Sequence, residues 1–189
     1  MYDTCLCSAC LTSTLAIIVA LLALLSTVIH RRERETLTRR ATIVARLLAE
    51  RRLTLSVAES CTGGLLASTL VSLPGISKVF AGGVVAYANE EKIARLGVRP
   101  ETLAAHGAVS VETVCEMLAG LTTPAAIAVS GVAGPEGGSP DKPRGTVIIG
   151  LRCGEKTRVE QRLFAGDREE IRKKSVRAAL DIMAELLKS

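Results

Sequence analysis

Hydrophobic and polar positions divide this chain into two regimes. From Thr4 to Ile29 no side chain is charged, and Leu15 to Leu25 is unbroken apolar sequence. A helix needs roughly 20 mostly apolar residues to cross the hydrocarbon layer of a bilayer. Residues 11–29 come close to that length, so one N-terminal transmembrane helix is expected. Arg31, Arg32, Arg34, Arg39 and Arg40 follow at once, with only Asp3 and the terminal amine on the other side. The positive-inside rule then puts the body in the cytoplasm, anchored to the inner (plasma) membrane. A cleaved secretory signal fits less well, because its basic residues should precede the apolar run. A misassigned start codon, with the protein beginning near Glu35, would leave a soluble cytoplasmic chain.

Past the basic stretch the pattern becomes that of a folded domain. The division expected is an anchor with a basic juxtamembrane segment, 1–34, and a body, 35–189. Leu37, Ala41, Val44, Leu47 and Leu48 fall at helical spacing and predict a helix over 36–52. Leu53 to Ala58 reads as a strand that ends in the turn Glu59-Ser60-Cys61-Thr62-Gly63-Gly64. Leu65 to Ser72 reads as a helix stopped by Pro74-Gly75, and Phe80 to Ala88 as a strand. Short helices are expected over 90–96 and 100–105, and a longer one over 111–121 with Ser110 as its N-cap. Ala125 to Ser130 is a buried strand, and a Gly/Pro-rich loop covers 131–145. A hairpin, 146–152 with 157–164, precedes a last helix capped by Asp167 and running to about Leu187. Strands interleaved with helices imply an α/β fold, a three-layer α/β/α sandwich around a mixed sheet.

Composition narrows the choice of partner. The net charge of +5 invites a nucleic-acid reading, but residues 31–52 alone hold eight Arg against three Glu. Residues 53–189 hold 16 basic and 15 acidic side chains. A nearly neutral body, with aromatics at 2% and no Trp, argues against nucleic acid. Cys5, Cys7 and Cys10 form C-x-C-x-x-C before the apolar run without a fourth ligand nearby, so no metal is expected. Cys61, Cys115 and Cys153 look like reduced cytosolic thiols.

The chemically suggestive feature is a strand, a tight polar turn, two glycines and a helix. Such an order puts Ser60 at the carboxyl end of a strand, with the N–H groups of Cys61, Thr62, Gly63 and Gly64 at the following helix start. That arrangement suits an anion or a developing oxyanion, so the residues alone fit either a phosphate cradle or a nucleophile turn. A serine needs a base. The two histidines, His30 and His106, supply a Ser-His-Asp triad poorly. A lysine with a depressed pKa can replace them, and Tyr87-Ala88-Asn89-Glu90-Glu91-Lys92 would carry a phenol and an amine to a strand end.

Five segments in order carry a family resemblance. Ala58-Glu59-Ser60-Cys61-Thr62-Gly63-Gly64 resembles the signature of the CinA C-terminal domain family. Gly82 to Lys92 is similar to its Tyr-Ser-Asn-x-x-Lys motif, with Ala88 in place of Ser. His106-Gly107-Ala108-Val109-Ser110 follows. Ser130-Gly131-Val132-Ala133-Gly134-Pro135 comes next, with Gly137-Gly138 and Lys142-Pro143-Arg144-Gly145-Thr146-Val147. Phe164-Ala165-Gly166-Asp167-Arg168 with Ile171-Arg172 closes the set. The resemblance implies an amidohydrolase that converts nicotinamide mononucleotide and water to nicotinic acid mononucleotide and ammonia, without cofactor or metal. It implies Ser60 as nucleophile, Lys92 as base and Tyr87 assisting. It implies substrate contacts from Thr62, Gly63, Gly64, Ser77, Ser130, Gly131, Arg168 and Arg172, one of the arginines serving the phosphate, and a homo-oligomer. It favours Ser60 over Cys61 as the attacking group. The membrane segment departs from the usual soluble pattern, as does the lack of the N-terminal partner domain of full-length members. The competing reading is a non-catalytic nucleotide-binding or competence-associated module tethered to the membrane.

Overall fold

The computed structural model describes residues 8–189, except for the side chains of residues 8–14 and of His30. Cys5, Cys7 and the Cys10 side chain of the C-x-C-x-x-C pattern lie outside the described residues. The chain forms two compact units, 1–36 and 37–189. In the first, helix α1 (Ser8–Glu50) begins. Its stretch from Leu15 to Ile29 exposes every large apolar side chain. It is long and apolar enough to cross a membrane by length and composition. The expected helix over 36–52 is the continuation of this same helix. No Gly occurs before Gly63 and no Pro before Pro74, so nothing in the sequence breaks it.

The second unit holds a five-stranded sheet: β1 (Leu55–Glu59), β2 (Phe80–Val85), β3 (Ala125–Gly131), β4 (Thr146–Cys153) and β5 (Lys156–Leu163). Its order is β2-β1-β3-β4-β5, with β1 parallel to β2 and β3, and β4 and β5 antiparallel. The helices are α2 (Leu65–Val71), α3 (Asn89–Leu96), α4 (Pro100–His106), α5 (Val111–Ala119) and α6 (Arg168–Leu186). The mixed sheet with helices on both faces is the sandwich expected.

Strand alternation sorts the core into two layers. Leu55 and Val57 of β1, Ile127 and Val129 of β3, and Val147, Ile149 and Leu151 of β4 pack on one face. There they meet Leu37 to Leu48 of α1, Leu66 and Leu70 of α2, and the apolar side of α6. Ala58, Ala126, Ala128 and Ile148 point the other way, toward Leu96 of α3 and Val114, Met117 and Leu118 of α5. The second face is built of small residues because α5 lies close to it. A Cβ at Gly150 would stand 2.7 Å from Val114 Cγ1. The chain leaves β1 toward β2 on one side and later reaches β3 on the other. The loops after β1 and β2 therefore depart to opposite faces and open a crevice at the strands' carboxyl ends, where ligands of open α/β sheets bind.

Candidate active site

The turn after β1 is held from two directions. Glu59 has the parity of Leu55 and Val57, so it faces the α1, α2 and α6 layer, fully buried. Its Oε2 accepts from the N–H groups of Gly64 and Leu66 at 3.0 Å each, and its Oε1 from that of Ala67 at 2.8 Å. This differs from the expectation that the helix-start N–H groups stand free. Glu59 occupies the positive end of α2, and the Gly63 N–H is spent on the Ser60 carbonyl at 3.1 Å. Among the described residues only the Cys61 and Thr62 N–H groups of this turn lack an acceptor. Arg172, one turn into α6, donates from Nε (3.1 Å) and Nη2 (2.7 Å) to the Thr62 carbonyl and fastens the turn from behind. Gly63 and Gly64 have φ of 57° and 88°, left-handed backbone that glycine adopts without a Cβ penalty.

The turn leaves Ser60 facing the crevice, 8% exposed, with no protein hydrogen bond to its hydroxyl among the described residues. Opposite stands Lys92, one turn into α3 and 1% exposed. Its Nζ donates to the carbonyls of Ala86 (3.1 Å) and Tyr87 (2.9 Å). Burial lowers its pKa from the ordinary lysine value, against smaller opposing effects of Cys61 and Glu90. A neutral amine has two N–H donors and one lone pair. In that form the two carbonyls would satisfy both donors, and the lone pair would remain for a proton. Cys61, beside Ser60, is the opposite case. Burial first, and the nearby Glu59 carboxylate, push its thiol up to about 12, outweighing the effects of its own N–H, Arg172 and Lys92. A thiol held neutral is a poor nucleophile.

The third wall comes from the glycine-rich loop and the start of α6. Asp167 caps α6 in a reciprocal capping box with Glu170, which fixes Arg168 at the first helical position. Arg168 Nη1 donates to the Gly134 carbonyl at 2.7 Å, and Nη2 to the Tyr87 hydroxyl at 2.8 Å. One guanidinium thus ties the loop to the end of β2. Ser130, buried at the end of β3, donates to the Ala108 carbonyl at 2.7 Å and holds the segment before α5 against the sheet.

These groups enclose a cavity of about 220 Å³ lined by Ser60, Cys61, Tyr87, Lys92, Ser130 and Arg168, with Gly131, Ala108, Val109 and Ala133. Six of the expected site residues, Ser60, Tyr87, Lys92, Ser130, Gly131 and Arg168, share this one cavity. Thr62, Gly63, Gly64 and Arg172 stand behind its wall and shape the turn that carries Ser60. Ser77 stands apart. It is exposed in a short 3-10 turn, Ile76–Lys78, before β2, whose Phe80 pairs with Leu55 at the amino end of β1. The length of β2 lies between it and the cavity. A second concavity of about 280 Å³, between residues 42–49 of α1 and residues 73–79, is mainly apolar and holds no nucleophile or base pair. The role of Glu59 was missed from the sequence. Its signal is an acidic residue closing a strand six positions before a helix that has no Ser, Thr, Asp or Asn cap.

Fold and cavity together define an α/β sandwich protein with a serine–lysine pocket at the switch point of its sheet. The family model for the CinA C-terminal domain matches residues 37–187. The chain belongs to the CinA C-terminal domain family. A CinA-like protein of Kosmotoga olearia is 48% identical over 149 residues, covering 77% of this chain and 36% of that protein. The chain thus spans about a third of the length of the curated relatives it matches. Among solved structures, competence damage-inducible protein A of Klebsiella pneumoniae superposes with a TM-score of 0.78 at 42% identity, covering 80% of this chain and 97% of that one. A CinA superfamily protein of Escherichia coli superposes with a TM-score of 0.76 at 31% identity, covering 81% and 90%.

Proposed function

We propose that the protein is an amidohydrolase that deamidates nicotinamide mononucleotide to nicotinic acid mononucleotide and ammonia, in the recycling of pyridine nucleotides. The observation that carries this reading is the shared cavity of Ser60 and Lys92, with the Lys92 amine buried and donating to two carbonyls. In the proposed reaction Ser60 Oγ attacks the carboxamide carbon while Lys92 Nζ takes the hydroxyl proton. The Cys61 and Thr62 N–H groups, free of protein acceptors, hold the developing oxyanion; removing one such donor typically costs about 10²–10³-fold in rate. The C–N bond then breaks as Lys92 returns the proton to the leaving nitrogen, releasing ammonia and leaving an ester on Ser60. Water, deprotonated by Lys92, cleaves that ester and restores the hydroxyl. The Tyr87 carbonyl orients Lys92, and its phenol is held by Arg168 at the cavity mouth.

Residues 11–29 are proposed to anchor the protein in the inner membrane with its body in the cytoplasm, and the body is proposed to form homo-oligomers. The test of the chemistry is ammonia release from nicotinamide mononucleotide by the 189-residue chain, with Ser60→Ala and Lys92→Met as controls. Turnover abolished by both substitutions supports the proposal. Tight nucleotide binding with no ammonia from the unsubstituted chain overturns it in favour of the non-catalytic module.

A further inference from the structure

Near the glycine-rich wall of the cavity one cation stands without a partner among the described residues. Arg144 lies at the end of the glycine-rich loop, exposed, and among the described residues it makes no hydrogen bond and no ion pair. Its side chain nevertheless has a defined course. A Cβ built on Gly134 would stand 2.4 Å from Arg144 Cδ and 2.9 Å from Cγ, so the arginine stem lies flat across Gly134. Gly134 is also the residue whose carbonyl accepts from Arg168 Nη1, and its neighbour Ala133 lines the cavity. The two guanidinium-bearing side chains therefore converge on one glycine at the rim.

The backbone that presents Arg144 is fixed on both sides. A Cβ at Gly138 would come within 2.9 Å of the Lys142 carbonyl and 3.2 Å of the Arg144 nitrogen, so the loop folds tightly on itself. The Gly145 N–H donates to the Val132 carbonyl at 2.8 Å, and the Val132 N–H to that of Thr146 at 2.8 Å. Lys142 Nζ donates to the His106 carbonyl at 2.7 Å, which fastens the loop to the end of α4. An arginine on a loop braced by these bonds, its stem on the glycine that also holds Arg168 and without an ion pair among the described residues, is pre-organised for an anion. Little backbone ordering remains to oppose binding. A planar guanidinium matches the oxygens of a phosphate in bidentate fashion.

We infer that Arg144 is a specificity-determining residue that, with Arg168, binds the phosphomonoester of a substrate whose amide reaches Ser60. This deepens the proposed function and rests on it for the identity of the amide. The neutral carboxamide, carried on a cationic pyridinium ring, would lie among Ser60, Lys92 and Ser130, whereas the anionic phosphate would meet the two arginines at the rim.

The test compares nicotinamide mononucleotide with nicotinamide riboside, which lacks the phosphate. Binding of each to the detergent-solubilised 189-residue chain is measured by calorimetry, beside ammonia release, for the unsubstituted protein, Arg144→Gln and Arg144→Lys. Loss of one charge-assisted contact corresponds to about 10- to 100-fold in affinity. Arg144→Gln is expected to weaken the mononucleotide by that factor, raising KM with kcat nearly unchanged, and to leave the riboside unaltered. Arg144→Lys should recover part of the loss. Equal affinity of Arg144→Gln and the unsubstituted chain for the mononucleotide overturns the inference, as does an equal loss for both ligands. Ammonia release that ignores Arg144 leaves the proposed function standing and removes this inference. An Arg144-dependent affinity without ammonia does the reverse, and no binding with no ammonia removes both.

Discussion

Replacing Glu59 with Gln tests the idea that a buried carboxylate, and not solvent or ligand, saturates the start of α2. The carboxylate has no solvent exposure and accepts three N–H bonds, at 3.0, 3.0 and 2.8 Å. Glutamine keeps one acceptor oxygen. If that oxygen takes the place of Oε2 it retains Gly64 and Leu66, and its NH₂ then faces the N–H of Ala67, donor against donor. An orphaned buried donor costs about 1–3 kcal/mol. Losing the negative charge at a helix N-terminus costs about 0.3–1 kcal/mol more, up to about 2 in a buried setting. The sum is about 2–4 kcal/mol, which in a domain of this size lowers Tm by roughly 5–15 °C. Thermal unfolding followed by circular dichroism at 222 nm measures it, with the exposed Glu90→Gln as the control. An unfolding midpoint within 1 °C of the unsubstituted protein would refute the assignment of Glu59 as the cap. Ammonia release should fall as well, because the turn that Glu59 holds also carries Ser60.

The depressed pKa of Lys92 has two consequences of determinate sign. In the proposed reaction deprotonated Lys92 is the base, so kcat/KM should climb with pH through the lowered folded value and then level off; a decline through that range would contradict the mechanism. The unfolded chain holds the extra proton between the folded value and the ordinary lysine value, so stability should rise with pH across that window. Urea titrations should show the rise disappearing in Lys92→Met. Cys61, buried with its thiol raised to about 12, should resist iodoacetamide in the native protein while exposed Cys115 is labelled, as read by mass spectrometry. Cys61→Ala should keep most of the turnover that Ser60→Ala destroys, and the reverse pattern would make Cys61 the nucleophile. Gly120→Ala puts a Cβ 2.2 Å from the Leu96 carbonyl oxygen and should cost about 1–3 kcal/mol in urea unfolding. An unchanged midpoint would show that α3 and α5 do not pack that closely.

Much of the architecture was legible because periodicity reports burial directly. Ala125 to Ser130 reads as a buried strand, and it is the middle strand of the five, buried at each of those positions. The caps at Ser110 and Asp167 were readable because a short acceptor side chain before a helix has few other uses. Strand ends were less legible. Phe80 to Ala88 was expected as one strand, but pairing stops at Val85, where β1 ends opposite it at Glu59 and leaves no partner for longer extension. Strand order was not legible at all, since nothing in Val57 or Gly83 says they lie side by side. Their closeness shows in the structure, where they are register partners and 2.7 Å would separate a Gly83 Cβ from Val57 Cγ2. Within the site, the residue types Ser60, Lys92 and Tyr87 were readable, but the division of labour between the two arginines was not. Arg168 and Arg172 stand one helical turn apart, and only coordinates show that the first lines the cavity while the second is spent on the Thr62 carbonyl.

The same alternation that builds the core also assigns the roles at the turn. Along β1, Leu55, Val57 and Glu59 share one face, and the next residue faces the other layer, where Lys92 enters from α3. Glu59 and Ser60 must therefore serve opposite sides of the sheet. One side needs a carboxylate, because α2 starts without a capping side chain of its own; the other, in the proposed reaction, needs a hydroxyl that Lys92 would deprotonate. Exchanging the two residues would put an uncompensated carboxylate beside Lys92, favour its protonated form and remove the base. It would also leave three donors of α2 served by a hydroxyl too short to reach them. The order Glu-Ser is thus set by the two-residue period of a strand, and it accounts for why structure and chemistry at this turn cannot be altered independently.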